Sequence, residues 1–425
     1  MFQVVSSTWA LFLGMFLLMI GNGLQGTLLG LRGEAEGFST FALSLVMSAY
    51  FVGFLFSSQL TPKLIRRVGH VRVFAALGST ISAVLILYPT LVEPWAWVLG
   101  RVVIGFCFCG VYVTAESWLN DASSNETRGK ALSVYLMVQM AGIVAAQYIV
   151  SQGDISGYIL FIIPSVLVSL AFAPILLSIR PTPQFAQTKP MTVFKLIEVS
   201  PLGCFGMFLL GGVFSAQFGM SAVYGSRAGL SVGEISLFVS VIYVAALMLQ
   251  YPIGWLSDRI DRRLLIMGVG FAGSAGAFFA FMLPGSLGVI LIGAAILGGT
   301  SNPLYALLIA YVHDYLDRED MAAASGGLLF INGVGAIAGP LTVGWMMDTI
   351  GPSGYWMFSA VLMLMVGGYA AYRMTRRSRA DLDIDAVTYA VISASSTPVA
   401  AEVAQEVYVE AEEEEIALTD QERLV

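Results

Sequence analysis

The sequence predicts an all-α integral membrane protein of twelve transmembrane helices arranged as two pseudo-symmetric six-helix bundles. Composition, a set of long apolar runs and an internal repeat carry that expectation. The 425 residues are 57% hydrophobic and 12% charged, with a mean hydropathy of +0.80. A soluble domain carries about 25% charged residues, so a cytosolic enzyme, a nucleic-acid binder and a disordered chain are excluded together.

A helix needs roughly 20 apolar residues to cross about 30 Å of hydrocarbon. Runs of that kind lie near 8–31, 41–60, 71–91, 95–117, 130–150, 157–178, 200–224, 232–256, 264–283, 286–311, 322–347 and 354–373. The first has no basic leader and is too long for the apolar region of a signal peptide, so it is read as a span. Trp95 and Trp97 open the fourth where an interfacial aromatic would sit. The segment 179–199, with three prolines and three basic residues, is the longest loop. The expected organisation is therefore a first bundle over 1–180, a linker over 181–198, a second bundle over 199–373 and an acidic, solvated tail over 374–425. That tail holds 12 Asp and Glu against 4 Lys and Arg and supplies the whole net charge of −7.

Lys and Arg placement sets the orientation. With the N-terminus inside, 18 of the 21 basic residues fall in inner loops and the tail. Only Arg32 and Arg227 fall outside, and Arg101 lies within a span. Both termini are thus expected in the cytoplasm, with the chain in the cell inner membrane.

Sliding the chain by 192–193 residues superposes its halves. Gln25 falls on Gln217, Gly37 on Gly229, Ser39 on Ser231 and Arg67 on Arg259. After a one-residue shift, Gly105 falls on Gly298, Tyr112 on Tyr305, Asp121 on Asp314 and Gln139 on Asn332. Isolated matches of Gly or Leu are cheap in membrane spans, but a nearly fixed offset that also pairs polar residues is not. Parallel six-span halves are a transporter architecture, with the solute near midplane at their interface.

Residues 254–263, Gly-Trp-Leu-Ser-Asp-Arg-Ile-Asp-Arg-Arg, resemble the major facilitator superfamily loop motif G-x-L-x-D-R-x-G-R-R, with Asp261 at the second glycine. The mate around Leu64, Arg67 and Gly69 has Arg66 at the motif's aspartate. Arg101 to Gly105 is similar to the fourth-span R-x-x-x-G. Gly335 to Gly344, with Gly339-Pro340, is similar to the antiporter glycine-proline motif but lies in span eleven. Ala115 to Asn120 and Asn302 to Tyr305 resemble the YcaD-like branch. The resemblance covers about residues 1–373 and implies the major facilitator fold, with spans one, four, seven and ten facing a central cavity.

On that expectation the cavity draws on Asn22, Gln25, Arg101, Tyr112, Gln217, Tyr224, Asn302 and Tyr305, with Gln139 and Asn332 from spans five and eleven. Amides and tyrosines suit a small polar or amphipathic solute. Arg101 would attract an anionic group, tune a proton site, or anchor backbone carbonyls, since an arginine in a span costs about 2.5–3.5 kcal/mol if unpaired. Glu116, Glu34 and Glu36 are the candidates for proton coupling, Glu116 alternatively pairing with Arg66 or Arg67. A cytoplasmic gate is expected from Arg66, Arg67 and Arg259 with Asp258 facing Arg128 or Lys130, and Arg66 facing Glu319 or Asp320.

No phosphate loop of the Walker type occurs, and nothing resembles a nucleophile beside a base, so neither ATP-driven work nor an enzyme is expected. His70 and His313 are the only histidines, both expected at cytoplasmic span ends, while Cys107, Cys109 and Cys204 lie in apolar runs as packing residues. No cofactor or metal is called for. The expected partners are a small solute, the bilayer and protons, with the chain acting as a monomer. The reading that results is a secondary active transporter. Its rivals are a multidrug proton antiporter on the same fold and a non-transporting sensor or scaffold.

Overall fold

Hydrocarbon offers no partner for backbone N–H and C=O groups, so each apolar run closes its hydrogen bonds internally as a helix. The computed structural model describes residues 2–122, 125–176, 191–376, 397 and 399–400. The first half contains α1 (Phe2–Ala35), α2 (Thr40–Val68), α3 (His70–Leu87), α4 (Pro94–Ala122), α5 (Asn125–Gln152) and α6 (Ile159–Leu176). A short α7 (Val193–Val199) precedes the second half. There α8 (Pro201–Ser215) runs through a π-helical turn (Ala216–Met220) into α9 (Ser221–Arg227), so that these three form the seventh span. Then come α10 (Val232–Ser257), α11 (Arg262–Met282), α12 (Leu287–His313), α13 (Arg318–Ile350) and α14 (Gly354–Met374). Among the described residues eleven spans are long and apolar enough to cross a membrane, and α6 is a shorter apolar helix over Ile159–Ala173. With an even number of crossings, the start of α1 and the end of α14 share one face, termed here the terminal face. The opposite side is the far face.

The two halves pack by one scheme. In the first, α1 lies on α5 and α6, α2 on α4, and α3 on α4 and α6; in the second, α8 lies on α13 and α14, α10 on α12, and α11 on α12 and α14. Between halves, α2 meets α13 and α5 meets α10.

Individual repeat pairs occupy matching places. Gly37 and Gly229 both have φ +77, the left-handed region that glycine enters without strain. Each precedes a serine that caps the next helix: the Ser39 hydroxyl accepts from Ala42 N, and the Ser231 hydroxyl from Glu234 N. Gly105 brings α4 onto the α2 backbone, where an added Cβ would sit 1.9 Å from Tyr50 O. Gly298 does the same for α12 on α10, at 2.3 Å from Ile242 O.

Three places differ from expectation. Trp97 faces the bundle rather than its outside; it is fully buried and donates from Nε1 to Tyr88 O at 3.1 Å, while Trp95 is exposed. The last residues of the expected linker are docked on α13, with Met191 N donating to Ala323 O at 2.7 Å and Lys195 paired with Asp320 at 3.1 Å. The rest of the linker lies outside the described residues. Most of the expected solvated tail also does, but Thr397 and Ala400 are described and buried.

Candidate functional site

A pocket lies between the halves. Its polar wall is Asn22 from α1, Tyr50 and Ser58 from α2, Gln139 from α5, Tyr243 from α10 and Asn332 from α13. Phe51, Phe54, Phe214 and Phe218 supply aromatic surface, with Met19, Met140, Ile143 and Leu329 among the rest. None of its lining residues is ionisable at neutral pH. Gln139 is 1% exposed, and neither amide atom has a hydrogen bond within 3.5 Å among the described residues, with Tyr135 its polar neighbour one turn away. A buried amide left unpaired costs of the order of 1–3 kcal/mol, so this group is poised for a hydrogen bond with something else. Asn332 uses its amide N–H on Met207 O at 3.0 Å. The π turn holds Phe218, which packs on Tyr50 with ring centroids 5.3 Å apart. Such turns add a residue to a helix and often mark functional sites.

Arg101 is not in the pocket wall. It is fully buried, and no carboxylate is paired with it among the described residues. Its Nη1 donates to Gln25 Oε1 at 2.7 Å, its Nη2 to Met47 Sδ at 3.4 Å, and its Cζ lies 4.8 Å from the Tyr50 ring centroid. Gln25 Nε2 then donates to Asn22 Oδ1 at 2.9 Å, and Asn22 Nδ2 to the Tyr112 hydroxyl at 2.8 Å. Every bond points away from the guanidinium, so each acceptor pulled by a donor becomes a better donor in turn. The charge thus acts on the pocket from behind its wall, through Asn22 and through the Tyr50 ring that it faces.

The remaining expected cavity residues are buried elsewhere. Gln217 Nε2 donates to Ser301 Oγ at 2.8 Å, Tyr224 stacks on Tyr355 at 4.9 Å, and Asn302 Nδ2 turns back to Gly298 O at 3.2 Å. Tyr305 is 2% exposed within α12. Spans four and ten therefore leave the wall to spans one, two, five, seven, eight and eleven. The close approach at Gly105 and Gly298 places α2 and α10 in that role. The aromatic residues were missed from the sequence, although Tyr50 and Tyr243 stand 193 residues apart, at the repeat distance.

At the far face the halves are joined. Arg227 pairs with Glu34 at 2.9 Å and Asp348 at 3.0 Å, and Asp348 also accepts from Thr40. Ser48 Oγ donates across to Ile337 O at 2.5 Å. Glu36 pairs with Arg32 at 2.7 Å. Glu116 near the terminal-face end of α4 is 1% exposed and accepts from Tyr135 at 3.3 Å.

The Major Facilitator Superfamily description matches residues 11–232 and again 203–393. The chain belongs to the major facilitator superfamily. It is 24% identical over 352 residues to the MFS-type transporter YcaD of Salmonella paratyphi A, covering 82% of this chain and 91% of that one. YcaD of Salmonella newport is 25% identical over 339 residues, covering 79% and 87%. Among solved structures, the nucleoside transporter NupG (D323A mutant) superposes with a TM-score of 0.75 at 16% identity, covering 87% of this chain and all of that one. The D-xylose-proton symporter gives 0.67 at 15%, covering 86% and 97%. The E. coli fucose:proton symporter FucP gives 0.55 at 13%, covering 87% and 99%.

Among the described residues the superfamily loop motif is built around Arg262. Arg262 is 7% exposed; it binds Asp314, Ser257 Oγ at 3.2 Å and, at 3.7 Å, Asp258. Arg259 lies 4.0 Å over the Trp255 ring and donates to Trp255 O at 2.9 Å. Asp320 holds Lys195. Arg66, Arg67 and Lys130 are exposed, and the side chains of Arg128 and Glu319 lie outside the described residues.

Proposed function

We propose that this superfamily member is a secondary active transporter that carries a small, uncharged, amphipathic organic solute by alternating access, with both termini in the cytoplasm. The observation that supports it best is the pocket at the interface of the halves, aromatic and amide-lined, with Gln139 unpaired. Aromatic faces suit a planar solute, and amides set its orientation. An organic anion would need Arg101 as its partner, and Arg101 is committed to Gln25 behind the wall. Solutes of the kinds named for the structural neighbours, nucleosides and sugars, are the first to try. For coupling, Glu34 and Glu36 are held in ion pairs, which leaves Glu116 as the candidate proton site.

A thermal-shift screen of the purified protein in detergent tests this. A ligand at 100 times its dissociation constant stabilises by roughly 2.7 kcal/mol. Neutral planar solutes should raise the midpoint, and Gln139→Leu should abolish that rise while leaving the unliganded midpoint in place or higher. Stabilisation by anions, lost in Arg101→Ala, would replace this reading with an organic-anion carrier. Stabilisation by lipophilic cations would promote the multidrug antiporter.

A further inference from the structure

Glu116 is buried at the terminal-face end of α4, and no basic side chain is paired with it among the described residues. A buried carboxylate needs donors, and the structure supplies them from a distant part of the chain. Oε2 accepts from the Thr397 hydroxyl, from Thr397 N at 3.3 Å and from Ala400 N at 3.2 Å. Thr397 precedes a proline in the sequence, which is the pattern of a helix start, and residues 399–400 are helical. In a capping box the N-cap hydroxyl accepts from the N3 N–H and the N3 side chain accepts from the N-cap N–H. Here Ala400 has no acceptor and the Thr397 hydroxyl donates to Glu116, so Glu116 accepts from both N–H groups in their place. Thr397 and Ala400 are 1% and 0% exposed, and Val399 packs against the main apolar core.

The position of this contact matters. Tyr135 donates to the other oxygen of Glu116, and Gln139 of the pocket lies one helical turn further along α5, about 6 Å at 1.5 Å per residue. The described tail residues are therefore linked to the pocket through Glu116 and Tyr135, on its terminal-face side. The far face is joined by Arg227, Glu34 and Asp348.

We propose that Thr397, Val399 and Ala400 form an internal plug, held by Glu116, that closes the terminal-face route to the pocket and must leave before that route opens. The docking stands whatever the pocket carries; its blocking of a solute path rests on the pocket being the transport site.

The test is cysteine labelling of the full-length protein in broken membranes, where a maleimide reaches both faces. Native Cys107, Cys109 and Cys204 are buried, and the parent serves as the blank. Ala400→Cys should label at least about tenfold more slowly than Thr375→Cys, an exposed control near the end of α14, as protection by a docked segment requires. Adding Thr397→Asp, a tail change that sets a second carboxylate against Glu116 without touching the bundle, should bring Ala400→Cys to the control rate. Glu116→Ala should do the same. Fast labelling of Ala400→Cys in the otherwise unaltered chain would overturn the docking, and slow labelling unmoved by Thr397→Asp would overturn Glu116 as its anchor. A pocket reporter, Ser58→Cys, should label faster once Thr397→Asp is added. If it does not while Ala400→Cys does, the segment docks but does not plug.

Discussion

Arg101 and Asp314 are both buried charges, and each makes a separate prediction. Replacing Arg101 by Met removes a desolvated charge, a gain of up to about 4 kcal/mol, and takes a donor from Gln25, a loss of about 1–3 kcal/mol. The first is the larger, so the thermal midpoint of Arg101→Met should hold or rise, while affinity for a pocket solute drops about tenfold as Asn22 loses its polarisation. A fallen midpoint would mark Arg101 as a structural anchor. Asp314 lies just beyond the span, and burial pushes its carboxyl up to about 6 although Arg262 pulls it down. The folded state then holds that proton more tightly than the unfolded chain, whose value is near 3.8, so this group's effect is a loss of stability as pH rises between those values. Asp314→Asn should lack that loss. Its midpoint relative to the parent should be higher at pH 7 than at pH 4, and the reverse would mean the Arg262 pair outweighs burial. At this scale the amides were legible, because Asn22, Gln139 and Asn332 stand out in apolar runs. The aromatic wall was not, because a phenylalanine in a span faces lipid, core or pocket with equal ease.

The helices were legible for a plain reason, since length and hydropathy decide what can cross a bilayer. Which face of each helix turns inward was not. A span apolar all round has no stripe to read, so the expectation that spans four and ten face the cavity came from resemblance, whereas the pocket is lined from α2 and α10 instead. Those close approaches are testable. Gly105→Ala and Gly298→Ala should each destabilise by about 1–3 kcal/mol through forced backbone shifts. Gly268→Ala, exposed on α11 with nothing near its added Cβ, should stabilise by roughly 0.5–1 kcal/mol. Equal effects in all three midpoints would mean that the helix contacts at Gly105 and Gly298 are not tight. The π turn had no counterpart in sequence pattern, because one added residue within an apolar run leaves hydropathy unchanged.

At the scale of the whole molecule, the repeat foretold two alike halves, and their packing schemes agree helix for helix. What it did not foretell is where they touch, because the residues that join them are not repeated: Arg227 serves Glu34 and Asp348 across the interface. Partly exposed pairs of this kind are worth about 0.2–1 kcal/mol each. Arg227→Ala should therefore raise maleimide labelling of Ser44→Cys, where α2 meets Gly344 of α13, by about two- to tenfold, and an unchanged rate would remove the pair from the closure. The uncharged pocket has an electrical consequence. One elementary charge moved through 100 mV is worth about 2.3 kcal/mol, but a neutral solute in a wall without ionised groups carries none. Voltage then acts only on a companion ion held elsewhere, such as a proton on Glu116. Current per solute in a membrane clamp counts that ion directly, and zero current with solute flowing would describe a carrier that equilibrates its cargo without accumulating it.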